Sequence, residues 1–164
     1  TPADGVHGID ATTQAPAFYE FDDTAGVEYG YQTIAVPGVV KGLTDGLSNF
    51  GSMALTQVMQ PAIGYAQNGF TLLPGEAFRQ ESVNELLKEF AGTRQYYLNK
   101  DSTTKKAGNL IIQRDLAKVL KAISEKGPDV FYRGWIAQEM VRDIRKNGGF
   151  LTLESLENLS LIHI

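Results

Sequence analysis

A short segment rich in glycine and aromatic residues separates two helical patterns, and it constrains the fold more than any other part of the chain. It spans residues 127–134 and reads Gly-Pro-Asp-Val-Phe-Tyr-Arg-Gly. Apolar residues recur every three or four positions both before and after it, which is typical of two helices that each bury one face. Gly127 can adopt the left-handed conformation that ends a helix, and Pro128 cannot continue one. The segment therefore predicts a helix–corner–helix unit, anchored by the rings of Phe131 and Tyr132.

Other patterns indicate further helices and a few strands. Residues 39–47 have helical spacing, although Gly42 and Gly46 weaken such a helix unless another element packs closely against them. Residues 30–36 carry β-branched and aromatic side chains and predict a strand, and residues 18–21 predict a shorter one. The expected fold class is α+β and mostly helical.

Local signals suggest where other elements begin and end. Ser52 is a candidate N-cap for a helix that contains Pro61, and a proline inside a helix predicts a kink or a break. Residues 74–90 have a helical pattern, whereas residues 96–110 are polar and rich in turn formers and predict an irregular loop or a short hairpin. Thr152 is a candidate N-cap for a last helix.

Composition excludes several classes of function. The 164 residues can bury a core and suggest one domain or part of one. A net charge of −4 argues against a nucleic-acid-binding surface, which needs clustered positive charge. No apolar run approaches the ~20 residues of a membrane-spanning helix. The absence of cysteine excludes disulfides, thiolate metal sites and a cysteine nucleophile. His7 and His163 are too far apart in sequence to indicate a metal pair, so we expect no metal site.

Several short blocks occur in a characteristic order. They include Gly-Asn-Leu-Ile-Ile-Gln-Arg-Asp-Leu-Ala at 108–117, Phe-Tyr-Arg-Gly at 131–134 and Gly-Gly-Phe-Leu-Thr-Leu-Glu at 148–154. Shorter blocks lie at 35–38, 50–52, 61–63 and 68–70. Together they resemble the large-subunit part of the gamma-glutamyltranspeptidase (glutathione hydrolase) family, and the resemblance covers most of residues 9–157. It implies a parent protein with the αββα sandwich of the N-terminal-nucleophile hydrolases, of which this chain is a mostly helical fragment.

The chemistry that this resemblance implies needs a residue outside the chain. In the family a precursor cuts itself, and the threonine that becomes the new N-terminus attacks the γ-glutamyl carbonyl while its own amine acts as base. That threonine lies in a Thr-Thr-His stretch, which is absent from these 164 residues. Thr1 is N-terminal only because the sequence begins there, and no Thr-Thr-His context surrounds it. We therefore expect no catalytic residue and no cofactor in this chain, and we expect the chain by itself to be inactive.

One functional position of the family falls inside the chain and is altered. The family's first block reads Ile/Leu-Asp-x-Arg-Glu-x-Ala-Pro, and its arginine forms a forked contact with the α-carboxylate of the substrate. Residues 9–16 read Ile-Asp-Ala-Thr-Thr-Gln-Ala-Pro, so Thr12 replaces the arginine and Thr13 replaces the glutamate. We predict that Thr12 and Thr13 occupy the substrate-binding positions without the carboxylate clamp. A divergent acylase of the same superfamily is thus an alternative to a glutathione hydrolase. Arg133 either replaces the clamp or binds helix-end carbonyls at its corner.

The resemblance also sets expectations for domains, partners and location. Residues 1–158 form a partial large-subunit segment, and residues 159–164 are an atypical apolar tail that follows no family pattern and has no further element to bury it. The expected partners are the small-subunit half of the same precursor and a small-molecule γ-glutamyl or related amide, with no nucleic acid and no membrane segment. The family implies a periplasmic or extracellular location. The alternative from another functional class is a stand-alone, non-catalytic helical interaction module.

Overall fold

The computed structural model describes residues 7–16 and 29–163, and this part of the chain is mostly helical, as the sequence predicts. The helices are α1 (Val39–Phe50), α2 (Leu55–Asn68), α3 (Pro74–Ser82), α4 (Asn84–Glu89), α5 (Ala91–Tyr97), α6 (Arg114–Lys126), α7 (Asp129–Tyr132), α8 (Trp135–Lys146) and α9 (Leu153–Glu157). Two-residue strands are β1 (Ile9–Asp10), β2 (Phe70–Thr71), β3 (Leu110–Ile111) and β4 (Ile162–His163). The strand predicted at residues 18–21 lies outside the described residues.

The chain divides into two compact units. Unit 1 comprises Thr1–Gln57 and Ala122–Ile164, and unit 2 comprises Val58–Lys121. The core of unit 1 is apolar and includes one tyrosine; its buried members are Val36, Tyr132, Ala137, Ile144, Leu151, Leu156 and Leu159. Burial of this apolar surface is the main favourable contribution to the folding of unit 1.

The corner between α6 and α8 forms as predicted, with one addition. Gly127 has a φ of 74°, and its N–H donates to the Ile123 carbonyl at 2.8 Å, which closes α6 as a left-handed residue does. The chain then makes the short helix α7 immediately after Pro128, whose fixed φ suits a helix start. The Phe131 and Tyr132 rings lie edge to face with their centroids 4.9 Å apart.

The predicted strand at residues 30–36 is wrong. Gly30 has a φ of 103° and opens a 3-10 turn at Tyr31–Thr33. Both the N–H and the hydroxyl of Thr33 donate to the Gly30 carbonyl, at 3.2 Å and 2.9 Å. Local bonding of this kind competes with strand formation. Within the stretch only Val36 makes a strand-like pairing, an antiparallel bridge with Gln14.

The predicted start of α2 is also wrong. Ser52 is not its N-cap, because the helix begins at Leu55 and the Ala54 N–H donates to Gln57 Oε1 at 3.1 Å. The glutamine side chain supplies a local acceptor at the start of the helix, so the upstream serine is not needed. The helix runs through Pro61 without the break that the sequence allowed, and it ends before Gly69, which has a φ of 95°.

Unit 2 is organised around a small antiparallel pairing. Strands β2 and β3 pair with Phe70 opposite Ile111. The helical pattern over residues 74–90 is divided into α3 and α4 at Val83. Helix α5 reaches Tyr97, and the polar stretch after it forms a turn closed by a bridge between Leu98 and Thr104. The buried apolar residues of this unit are Ile63, Ala66, Leu72, Leu98, Ile111 and Ala117.

The C-terminal part of unit 1 is ordered by local capping and by strand pairing. Thr152 is the N-cap of α9, as predicted, and its Oγ1 accepts the Ser155 N–H at 3.0 Å. Leu159, for which the sequence offered no covering element, is 3% exposed and belongs to the core. Strand β4 pairs antiparallel with β1. The division of the chain at residue 158 stays a prediction.

Candidate functional site

The segment 9–16 contains the two predicted substrate-binding positions and begins with a tight turn. Asp10 Oδ1 accepts the Thr12 N–H at 3.0 Å, which is an Asx turn. Hydrogen bonds from the Thr12 backbone and side chain hold the pKa of Asp10 below its ordinary value. The Asp10 side chain is therefore an anionic acceptor at neutral pH. Thr12 and Thr13 are both exposed, so their side chains are open to a small molecule.

One face of α1 holds this segment in place, and that face is made of glycine. A Cβ on Gly38 would lie 2.7 Å from the Thr12 carbonyl oxygen and closer still to that of Ala11, and a Cβ on Gly42 would overlap the Ala11 Cβ. A Cβ on Gly46 would be 3.6 Å from Ile9 Cδ1. The three glycines are spaced four residues apart, which places them along one side of the helix.

The sequence predicts that α1 tolerates its glycines only if another element packs closely against them, and the segment 9–12 does so. Two glycines inside a helix each cost about 1 kcal/mol relative to alanine. Here the missing side chains of Gly42 and Gly46 make room for Ala11 and Ile9, and that of Gly38 makes room for the carbonyls of Ala11 and Thr12. The glycines therefore fix the position of the segment that carries Thr12, rather than forming a phosphate-binding loop. Further along, Gln14 exchanges two backbone hydrogen bonds with Val36 at 3.2 and 2.8 Å, and Pro16 is buried.

The start of α1 is held by a side chain from the far end of unit 1. The Tyr132 hydroxyl donates to the Pro37 carbonyl oxygen at 2.7 Å and accepts the Lys41 N–H at 3.0 Å. Gly38, at the N-cap position, offers no side chain to cap the helix. Burial raises the pKa of the Tyr132 phenol, so it stays protonated and keeps its donor at neutral pH. Sequence reasoning treated Tyr132 as a ring anchor and missed this role, because nothing local marks a contact across 91 residues.

Arg133 does not bind the helix-end carbonyls of its corner, and its role as a replacement clamp stays a prediction. Its Nη1 pairs with Asp129 Oδ1 at 2.9 Å, within one turn of helix, and both side chains are more than half exposed. The carboxylate four residues earlier is a nearer partner than any helix-end carbonyl, and such exposed pairs contribute little to stability. A small cavity of about 30 Å³ lies beside this pair, and its lining includes Lys41 and Tyr132.

The two histidines belong to the segment before β1 and to β4. The His7 ring stacks on Phe50 with the centroids 5.3 Å apart, and His163 lies in β4. Within residues 7–16 and 29–163, no three acidic or histidine side chains gather into a possible metal site. Over the same ranges, no helix has the length and apolar character needed to cross a membrane.

A second concave region occurs in unit 2 and contains none of the predicted site residues. It is an open cleft of about 300 Å³ between α3, the end of α5 and β2. Its lining combines apolar side chains with Glu76 and Arg79. The Glu76 carboxylate has a structural partner, because its Oε2 accepts the Leu73 N–H at 3.0 Å and so caps α3.

Comparison with known proteins decides the family. The sequence model of gamma-glutamyltranspeptidase matches residues 3–161. The chain belongs to the gamma-glutamyltranspeptidase family. A glutathione hydrolase proenzyme of Escherichia coli (strain K12) is 36% identical over 121 residues, which are 73% of this chain and 21% of that protein. An acylase ACY 1 proenzyme of Pseudomonas sp. (strain SE83) is 31% identical over 139 residues, 79% of this chain and 23% of that protein.

The fold of the family is confirmed at the level of structure. The crystal structure of Helicobacter pylori gamma-glutamyltranspeptidase superposes with a TM-score of 0.91 at 30% identity, over 98% of this chain and 49% of that one. The chain thus spans about half of this solved relative and about a fifth of the curated relatives above. Its helices and short strands form part of the N-terminal-nucleophile hydrolase fold, as the sequence predicts.

Proposed function

We propose that this chain is the scaffold part of an amide-cleaving enzyme, and that residues 9–16 line its acyl-binding pocket. Family membership supports the reaction class. In that reaction a threonine hydroxyl outside this chain attacks the amide carbonyl, and a C–O bond forms as the C–N bond breaks. The amine leaves with a proton, and water or an acceptor amine then releases the acyl group. The chain by itself carries out none of these steps.

The observation that carries this proposal is the contact between the glycine face of α1 and the segment 9–12. A Cβ on Gly38 or Gly42 would collide with Ala11 or Thr12 where they lie now. This close approach supports a fixed backbone frame for residues 9–12, while the side chain at position 12 differs from the family pattern. A fixed backbone with a changed side chain is the arrangement that alters substrate preference without altering the fold.

We further propose that the favoured acyl group is not recognised through an α-carboxylate. Thr12 is exposed and neutral, and its hydroxyl can make one hydrogen bond but supplies no positive charge. A bidentate arginine–carboxylate contact has about twice the strength of a neutral hydrogen bond, so its loss weakens γ-glutamyl binding in particular. The similarity to an acylase proenzyme is in line with a different acyl group.

Two substrates that differ by one carboxylate test this proposal. The complete gene product containing this chain is assayed with γ-glutamyl p-nitroanilide and with 4-aminobutyryl p-nitroanilide, which retains the amine and lacks the carboxylate. We expect kcat/KM for the two to agree within about threefold, since no guanidinium distinguishes them. Thr12→Arg restores the clamp and should raise the preference for the γ-glutamyl compound by about tenfold or more.

The matched control is Ser48→Arg, which adds the same charge at an exposed position of α1 outside residues 9–16. It should leave the ratio of the two kcat/KM values within about twofold of the unmodified protein, a difference of less than about 0.5 kcal/mol. Strong γ-glutamyl selectivity in the unmodified protein, or no effect of Thr12→Arg, would place the carboxylate-binding residue elsewhere and refute the proposal. Release of p-nitroaniline by this chain alone, persisting in Thr1→Ala, would contradict the need for an outside nucleophile.

The proposed partner is the small-subunit half of the same precursor, and the proposed location is outside the cytoplasm. Helix α1 supports the first of these, because one of its sides exposes apolar residues that unit 1 does not cover. Val39, Leu43 and Phe50 are 55%, 71% and 59% exposed. Such a stripe is typical of a surface that another element covers. The chain alone should therefore self-associate in light scattering, whereas a stand-alone module would be monodisperse.

A further inference from the structure

Tyr132 has a feature that neither the family comparison nor the proposed reaction explains. It is 4% exposed. Its hydroxyl donates to the Pro37 carbonyl oxygen and accepts the Lys41 N–H, so it bonds both ends of the short stretch 37–41. A buried tyrosine hydroxyl commonly finds one partner. Two backbone partners on either side of a helix start indicate that the hydroxyl replaces a helix cap.

The start of α1 needs such a replacement. The first N–H groups of a helix have no partner within the helix, and a serine, threonine or aspartate at the N-cap normally accepts one of them. Gly38 occupies that position and has no side chain to do so. A side chain there is also excluded, because it would meet the carbonyl oxygens of Ala11 and Thr12. The capping acceptor therefore has to come from elsewhere in the fold, and Tyr132 provides it.

The same first turn of α1 carries the contact with the acyl-binding segment. Gly38 faces the carbonyls of Ala11 and Thr12, and Gly42, one turn later, faces the Ala11 side chain. If the first turn frays or shifts, the surface against which Thr12 is placed shifts with it. The Tyr132 hydroxyl is thus linked to Thr12 through a single rigid turn.

We propose that Tyr132 is a positioning residue for the acyl-binding segment 9–16, acting through the first turn of α1. The inference rests on the proposed function for its kinetic part, because that proposal makes the segment part of the pocket. Its structural part, that Tyr132 orders residues 9–16, stands on the described contacts alone. The hydroxyl binds the start of α1 rather than the segment itself, and it does not take part in the chemistry.

The test removes the hydroxyl and measures two independent quantities in the complete gene product. Tyr132→Phe should increase amide hydrogen exchange in residues 9–16 and 38–42, because the cap is lost. It should raise KM for 4-aminobutyryl p-nitroanilide by about fivefold, while kcat changes by less than about twofold. A purely stabilising role would lower the amount of folded enzyme, and would leave the KM of the folded fraction unchanged.

Tyr96→Phe is the matched control. The Tyr96 hydroxyl also donates a hydrogen bond, to Asp115 Oδ2 at 2.8 Å, and both residues belong to unit 2. This variant also loses a tyrosine hydrogen bond, but far from α1 in sequence, and should change neither KM nor exchange in residues 9–16. Gly42→Ala is the second test variant, because it disturbs the same contact from the helix side and leaves the cap intact. Its KM should rise in the same direction as that of Tyr132→Phe.

The outcomes separate the inference from the proposed function. Unchanged exchange in residues 9–16 of a folded Tyr132→Phe variant would overturn the positioning role. Increased exchange with unchanged KM in both Tyr132→Phe and Gly42→Ala would support the ordering role and refute the assignment of residues 9–16 to the pocket. If Tyr132→Phe folds only in a stabilising salt such as sulfate, the comparison with Tyr96→Phe is made in that salt.

Discussion

Helices α1 and α2 follow each other in the chain and are held by opposite means. The start of α1 is capped by the Tyr132 hydroxyl, 91 residues away, and its glycines face the segment around Ala11. The start of α2 has a local acceptor in the Gln57 side chain, and a Cβ on its Gly64 would meet nothing within 4 Å. The start of α1 thus depends on a residue distant in sequence, whereas the start of α2 depends on a residue within the same helix. The difference teaches that whether a glycine inside a helix is required depends on which residues pack against it.

The sharpest test of this comparison is Gly38→Ala. The added Cβ would meet two backbone carbonyl oxygens, which cannot rotate away as a side chain can. We expect a loss of about 3 kcal/mol in the free energy of unfolding, at the upper end of overpacking effects. Urea unfolding followed by circular dichroism measures the loss. A variant as stable as the unmodified protein would show that the close approach of residues 11 and 12 to α1 is not required.

Gly42→Ala and Gly64→Ala form a pair with opposite expected signs. Alanine in an open helical position stabilises by about 0.5–1 kcal/mol, so Gly64→Ala should raise the unfolding free energy. At position 42 the same gain in propensity is outweighed by overlap with the Ala11 Cβ, and we expect a net loss of about 1–2 kcal/mol. Paired urea titrations give both values. If both substitutions changed the unfolding free energy in the same direction, the glycines of α1 and α2 would not differ in the way we infer.

The dependence of the unfolding free energy on alkaline pH tests the Tyr132 cap of α1, and we expect a smaller effect there. Burial raises the pKa of Tyr132, so the folded state keeps the phenol protonated at a pH where the unfolded chain releases the proton. The contribution of Tyr132 is therefore complete below about pH 10, the ordinary pKa of tyrosine, and declines as the pH rises toward the folded-state pKa. Tyr132→Phe should unfold with a shallower decline in stability above about pH 10 than the unmodified protein.

A substitution in the proposed acyl-binding segment, Thr12→Arg, should change the free energy of unfolding least of all. Replacing Thr12 by arginine leaves the stability within about 0.5 kcal/mol, because the side chain is exposed and the backbone path is unchanged. Urea unfolding of the Thr12→Arg variant measures the difference. A loss well beyond that value would mean that the Thr12 side chain contributes more to the turn at Asp10 than an exposed hydrogen bond does.

The sequence predicts those elements whose signals are local. The Gly127 corner and the cap at Thr152 both follow from residues adjacent to the feature. The strand predicted at residues 30–36 failed because Gly30 and Thr33 form a turn that strand propensity does not include. Ser52 failed because Gln57 offers an acceptor closer to the helix start.

The candidate site is only half predictable for the same reason. Thr12 and Thr13 were located by the block around them, which is a matter of sequence spacing. The partner of Gly42 and the hydroxyl that caps α1 come from residues distant in sequence, and no periodicity marks them. The bonds expected from Arg133 to helix-end carbonyls do not form, because Asp129, one helical turn earlier, binds that guanidinium.

Unit 1 is assembled from two stretches of chain, with all of unit 2 between them. Residues 9–16, the proposed acyl-binding segment, therefore leave the ribosome long before the tyrosine that caps α1. Contacts that join residues so distant in sequence form late, because the entropy of closing the intervening loop must be overcome first. A nascent chain halted before residue 132 would carry α1 without its capping hydroxyl and β1 without its partner strand. The proposed pocket segment is then completed only after the corner at Gly127 and strand β4 have emerged.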